Sequence, residues 1–552
     1  MTGGRGHAFA VAAMVVVLVA AGCSGRPVTS ASSAPLPLDV TTTPAAAGQM
    51  DRVTWALPYG EPRTLSWLAS SAFSENTVLS NLCEGLLRVT PDLGYEPALA
   101  SSVTTSDNTT YVATLRPGVQ FSNGDPVTTD DVIYSLSAHL DPARGSFWVE
   151  WVKNVKSITA TGPAQVTITL RKPDTTFDKF LATSGAAIVQ KRYVEAKGTQ
   201  YGTASGGVMC TGPYQLKAWT PGYDLALSRN DNYWDTAHRP KVATIDFKFI
   251  TNSTTLSNGL QSGEIDGTYE LPPGAITRLR SLPVGKVYLG KSLAYATVEF
   301  TSKPGPTADP RIRRALSLIL DRAAIARVIF HGAAAPIKSS YFPATWGYGA
   351  QTYQRHYQSL PEASGTDLAE AARLVAESSR GSGGIAPMTL LSNADDPVAK
   401  QLSAYLKSQA QVIGLRVDIV EMPAAQWVIT GFDKERQKAY DLFPSMLNYQ
   451  DFPDPINPAE YTLVPGGVFN SSGYHNPAVR QWIDQARAEP DPDKRAALMT
   501  KVQNQAYQID TVAIPLVNYA SVLFMNDRIT GAPASLNAHL FYPWARDLGA
   551  TR

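Results

Sequence analysis

Three cysteines, seven histidines and a run of closely spaced aspartates are the side chains of this 552-residue sequence best suited to ligate or to react. The histidines stand singly. None has a second histidine at the spacing of a helical or hairpin metal site, so each reads as a surface or core residue. Asp125, Asp130 and Asp131 fall in LRPGVQFSNGDPVTTDDV, residues 115–132, where they invite a metal reading. The Gly, Pro, Asn and Thr residues around them favour turn and helix-cap duty instead. There is no G-x-S-x-G, H-E-x-x-H, C-x-x-C or G-x-G-x-x-G motif. An exported hydrolase would need an activated nucleophile, and no residue offers one. The chemistry left is binding, with no catalytic residue, metal ligand or cofactor expected. The 10 Trp and 24 Tyr suit a ligand pocket as well as a core.

The first cysteine has a separate reading. Arg5 and His7 precede an apolar run over residues 8–21, shorter than the ~20 residues a spanning helix needs. Residues 1–22 are therefore expected to be a signal peptide. Val19, Ala20, Ala21, Gly22 and Cys23 resemble the bacterial lipoprotein box, in which the cysteine thiol takes a lipid and becomes the new N-terminus. Ala20 departs from the Leu usual there, and cleavage without lipid is the competing reading. The Ser-, Pro-, Thr- and Ala-rich stretch after Cys23 cannot bury a core, so residues 23–50 read as a lipidated N-terminus and flexible tether. For an exported chain, Cys83 and Cys210 fit either a disulfide or two buried free thiols.

These residues need elements to position them. Apolar alternation marks strands at Tyr111, Ala113 and Leu115, at Val166, Ile168 and Leu170, and at Ile245, Phe247 and Phe249. A helix starts at Asp309 with Pro310 in its first turn, carries Ile312, Ala315, Leu316, Ile319, Leu320 and Ala323 on one face, and closes at Gly332. A second follows Thr366, with Asp367 and Glu370 in its first turn, Leu368, Ala371, Ala372 and Val375 on one face, and Gly381 beyond its end. The mixture implies an α/β or α+β protein. Lys plus Arg (48) nearly equals Asp plus Glu (47), with no basic stripe, which argues against a nucleic-acid partner.

Several ordered blocks resemble the large extracellular solute-binding proteins of dipeptide, oligopeptide and nickel ABC importers, family 5. They are NLCEGLL (81–87), EPALA (96–100), the 115–132 segment, TGPY (211–214), RNDNYW (229–234), SGEID (262–266), DPRIRRALSLILDR (309–322), IGLRVDI (413–419), DFPDP (451–455) and NSSGY (470–474). Together they span nearly the whole mature chain. The resemblance implies a two-lobed, hinged α/β fold of the type II periplasmic-binding-protein kind, cluster C, with a small extra domain inserted in lobe I. Lobe I would hold residues 51–95, 205–292 and 518–552, the inserted domain 96–204, and lobe II 293–517. The function implied is a monomeric, lipid-anchored receptor on the outer face of the bacterial cell membrane. It would capture peptides between its lobes for a permease and an ATPase.

In such receptors an aspartate pairs with the peptide's α-ammonium, and the local pattern NYQDFPDP puts that role on Asp451. An Asx turn before Pro453 and Pro455 is the alternative. Asn448 stands where an aromatic residue often precedes the aspartate, which leaves haem, metal chelates, glutathione and oligosaccharides as rival ligands. The same matching makes Phe73, Tyr295, Trp427 and Tyr449 candidate cleft residues.

Overall fold

The expected alternation is written into the strands as burial. Tyr111, Ala113 and Leu115 are buried along Thr110–Leu115, as are Val166, Ile168 and Leu170 along Gln165–Leu170, while the residues between them stay half-exposed. In the computed structural model these two strands pair antiparallel, Tyr111 opposite Ile168, at the centre of a four-stranded sheet completed by Ala100–Thr104 and Val155–Gly162. Residues 1–3, 36–363, 365–378, 384–448 and 450–552 are described. Cys23, Gly381 and Tyr449 lie outside them. The chain divides into a unit Met1–Ala34 and a compact unit Pro35–Arg552, and everything below concerns the second.

Two larger sheets form the two lobes of this mixed α/β unit. The first has seven strands in the order Gly285–Gly290, Ser521–Asn526, Gly267–Thr268, Met50–Leu57, Val242–Phe249, Asp224–Arg229 and Tyr214–Thr220. Its core includes Trp55, Ile245, Phe247 and Trp544, with the Trp55 and Trp544 rings 4.6 Å apart. The second sheet has six strands, Ala334–Pro336, Ala513–Tyr519, Tyr295–Phe300, Leu442–Asn448, Met388–Asn393 and Val417–Met422. Val298, Phe300, Leu390, Leu442 and Ile514 make its core. The chain passes between the two sheets twice, at residues 291–294 and at Ala520. Both crossings are short, so the lobes meet along one seam.

The helix expected from Asp309 to Gly332 is two. Asp309 caps Pro310–Leu318 by accepting from the Arg311 N–H, but Asp321 accepts from the N–H groups of Ala323 and Ala324 and starts a new helical segment. The apolar stripe runs through both pieces, which is why periodicity alone joins them. Gly332, at φ +78°, ends the second piece. The second expected helix is Leu368–Ala376, capped by Asp367 through the Glu370 N–H. Cap duty also accounts for Asp131: Thr128 Oγ1 accepts from the Asp131 N–H while the Asp131 carboxylate accepts from the Thr128 N–H. Asp125 accepts from Asn123 and Gln190. The Sγ atoms of Cys83 and Cys210 are bonded at 2.06 Å, tying the end of helix Phe73–Leu82 to the segment before strand Tyr214–Thr220.

Candidate ligand-binding site

The seam is held by polar side chains reaching across it to backbone. Asn518 Nδ2 donates to the carbonyls of Ser292 and Ala294, at 2.9 and 2.8 Å. From the helix Leu536–Phe541, Asn537 Nδ2 donates to the carbonyls of Gln450 and Asp451, at 2.8 and 2.6 Å. Phe452 follows, buried with Ala294, Leu536, Leu540 and Phe541, and its ring lies 4.9 Å from that of Trp151. Residues 450–452 are thus held by helix Leu536–Phe541 and by Trp151, with Asp451 among them.

The two aspartates of DFPDP have divided the work. Asp454 is fully buried and accepts from the Ile456 N–H at 3.0 Å, a local Asx bond, and from Lys179 Nζ at 2.7 Å. Turn and ion-pair duty therefore fall on Asp454. The Asp451 carboxylate has neither hydrogen bond nor ion pair among the described residues. Burial without compensation pushes its pKa up to about 7. The phenols of Tyr461 and Tyr95 are raised, first by their own burial and then by carboxylates that include Asp451. A half-buried anion without a counter-charge can receive an ammonium group, and the pair gains as that group's arrival excludes the remaining water.

Of the aromatic candidates, Phe73 lies at the seam. It is half-buried, stacks on Tyr59 with ring centroids 5.0 Å apart, and faces His539 at 6.3 Å. Tyr295 and Trp427 are packed more deeply. Tyr295 is buried against Phe342 and Ile337. Trp427 is buried with Leu391 and Phe443, its indole N–H unpartnered among the described residues. Asn448 donates to Thr297 Oγ1 at 2.7 Å and to Glu299 at 3.3 Å, so its amide serves the pairing of Leu442–Asn448 with Tyr295–Phe300.

Sequence reasoning passed over Glu270. It half-emerges beside the seam, accepts from Ser521 Oγ at 2.8 Å, and forms no ion pair among the described residues. Burial pushes its pKa up to about 7 against the opposing Ser521 bond. Its φ of +54° is unusual for a residue with a side chain. SGEID is recognisable, but a lone glutamate four residues later carries no sequence signal. The contacts of residues 174–179 with Arg487 and Asp454 were equally silent: Arg487 pairs with Asp174 at 2.9 Å. The larger surface hollows, about 590 Å³ beside Arg63 and Trp219 and about 330 Å³ beside Asp130 and Arg144, share no lining residue with the seam.

A family model for bacterial extracellular solute-binding proteins, family 5, matches residues 94–470. The chain is similar to the oligopeptide-binding protein OppA of Bacillus subtilis (strain 168), 26% identical and covering 82% of this chain and 85% of OppA. It is also similar to the glutathione-binding protein GsiB of Escherichia coli (strain K12), 24% identical over 86% of this chain and 88% of GsiB. Among solved structures, DppA of Helicobacter pylori in complex with peptide STSA superposes with a TM-score of 0.77 at 20% identity, covering 92% of this chain and 99% of that one. Among the described residues, no helix is long and apolar enough to cross a membrane.

Proposed function

The chain belongs to the bacterial extracellular solute-binding proteins, family 5, and on that premise we propose that it captures peptides and delivers them to the permease and ATPase of an ABC importer. The observation that carries the reading is the Asp451 carboxylate, half-buried at the seam with no cation beside it among the described residues, while Asp454 does the turn work next door. A peptide lies extended between the lobes, its α-ammonium on Asp451 and its main chain hydrogen-bonded like an added strand. Hydrated pockets then tolerate varied side chains. Ligand contacts made with both lobes at once stabilise the closed arrangement, which the permease senses.

In this reading residues 96–204 form a small added domain on lobe I and 293–517 form lobe II. No chemical step is assigned to the protein. Cys23 carries the lipid that holds it on the outer face of the membrane; the tether is shorter than the expected 23–50, because residues 36–50 pack on the first lobe, where Val40 bridges Gly290, Thr43 Oγ1 donates to the Ala532 carbonyl and Gly48 bridges Ala550. The test is native mass spectrometry of protein purified without denaturation. Bound masses resolving into peptides with free N-termini are expected. A saccharide, haem or metal chelate in their place would remove the peptide reading.

A further inference from the structure

Beyond the carboxylate that receives the α-ammonium, the seam carries a second place for a positive charge. Tyr59, Phe73, Ser74, Trp55 and Glu270 line one small hollow of the first lobe. Two buried polar atoms there have no partner among the described residues: Ser74 Oγ, on a residue 5% exposed, and Trp55 Nε1, on a residue fully buried. Beside them stands the Glu270 carboxylate, with one neutral hydroxyl donor and no cation among the described residues. The Tyr59 ring is 58% exposed at the mouth and stacks on Phe73.

The charges felt at the mouth have one sign. The carboxylates of Glu270 and, less strongly, Asp396 both act on the exposed Tyr59 phenol, and no cation among the described residues offsets them. Asp396 belongs to the other lobe, where its carboxylate caps helix Pro397–Val412 through the N–H groups of Val398 and Ala399. The mouth thus lies in the field of carboxylates from both lobes, although only Glu270 lines it. Near groups that could supply positive charge do not. His539 is fully buried between Tyr269 and Phe73 and is kept neutral, its pKa pushed down by burial to about 3. The positive end of helix Phe73–Leu82 is taken up by Glu75, which accepts from the N–H groups of Ser71 and Ala72.

We propose that Glu270, Ser74 and the Tyr59–Phe73 ring pair form a second cation subsite, so that the preferred ligand is a peptide bearing a basic side chain as well as a free N-terminus. The hollow is small, about 10 Å³, room for one water or one N–H group. The head group therefore points a single N–H at Glu270 and Ser74 Oγ while its bulk lies over the exposed Tyr59 face, as a cation on a ring does. A guanidinium fits this better than an ammonium, because its planar face stacks while its edge donates. The inference rests on the reading that this protein captures peptides.

The test is calorimetric titration with alanine pentapeptides in which arginine, or its neutral isostere citrulline, occupies each position in turn. At one position at least, arginine should bind about tenfold tighter than citrulline or better, the size of one charge-assisted bond. In Glu270→Gln, which keeps a partner for Ser521, that ratio should fall to about one while the citrulline peptide binds as before. Tyr59→Leu, at an exposed position, should reduce the ratio partway and serves if Glu270→Gln does not fold. Wild type that never discriminates, or a ratio unchanged in Glu270→Gln, overturns the subsite and leaves peptide capture standing. Failure of every pentapeptide to bind overturns peptide capture, and the subsite with it.

Discussion

Replacing Asp451 by Asn should stabilise the ligand-free protein at alkaline pH and leave it unchanged in acid. In an unfolded chain the aspartate titrates near 3.8, whereas in the fold its partial burial without a partner among the described residues raises it to about 7. The folded protein therefore holds that proton more tightly than the unfolded one. Its favourable contribution is complete below pH 3.8, declines as pH rises, and is gone above about pH 7. At about 1.4 kcal/mol per pH unit the full difference is about 4 kcal/mol, and the side chain's partial exposure reduces it to about 2 to 4 kcal/mol. The asparagine variant has no such decline. For a chain of this length, that difference raises Tm by about 2 to 4 °C at pH 8.5 and by almost nothing at pH 3.5. Thermal unfolding of both proteins, stripped of ligand by unfolding and refolding, measures the difference directly. A variant less stable than wild type at pH 8.5, or a difference independent of pH, would mean that the carboxylate has a compensating partner and that the argument for an empty cation seat is wrong.

Other consequences can be checked separately. Changing Cys83 and Cys210 to serine should cost about 2 to 5 kcal/mol, because the bond closes a loop with a sequence separation of 127 residues; an unchanged melting temperature would count against it. Lys179→Met leaves the buried Asp454 carboxylate uncompensated and should destabilise by about 3 kcal/mol, with Asp454→Asn in the same chain restoring part of the loss. Cys23→Ala should move the expressed protein from the detergent phase to the aqueous phase of a two-phase extraction. Retention as complete as wild type would dismiss the lipid anchor.

Legibility followed the physics of each signal. Strand alternation at Tyr111, Ala113 and Leu115 could be read because burial on one face of a sheet enforces period two. The Asp309 helix was read to the residue at its start, where Pro310 and a capping carboxylate act locally, and missed at Asp321, where a second cap interrupts an unbroken apolar stripe. At the candidate site, NYQDFPDP pointed to Asp451, but which of its two aspartates makes the turn is decided by Ile456 and Lys179, the latter 275 residues away. Glu270 was invisible because its meaning lies in the absence of a cation beside it among the described residues. Asn448 looked like a departure from pattern and is explained by a partner, Glu299, on the neighbouring strand.

The central claim is that Asp451 holds the α-ammonium of a bound peptide, and a double comparison tests it most directly. Affinities of wild type and Asp451→Asn would be measured for one peptide with a free N-terminus and for the same peptide N-acetylated. Each change alone should weaken binding by about 2 to 5 kcal/mol, since each strips one partner from a desolvated charge pair. Made together they should cost no more than one alone, because both remove a single interaction. Losses that add, or acetylated peptide bound as tightly as free, would contradict the account.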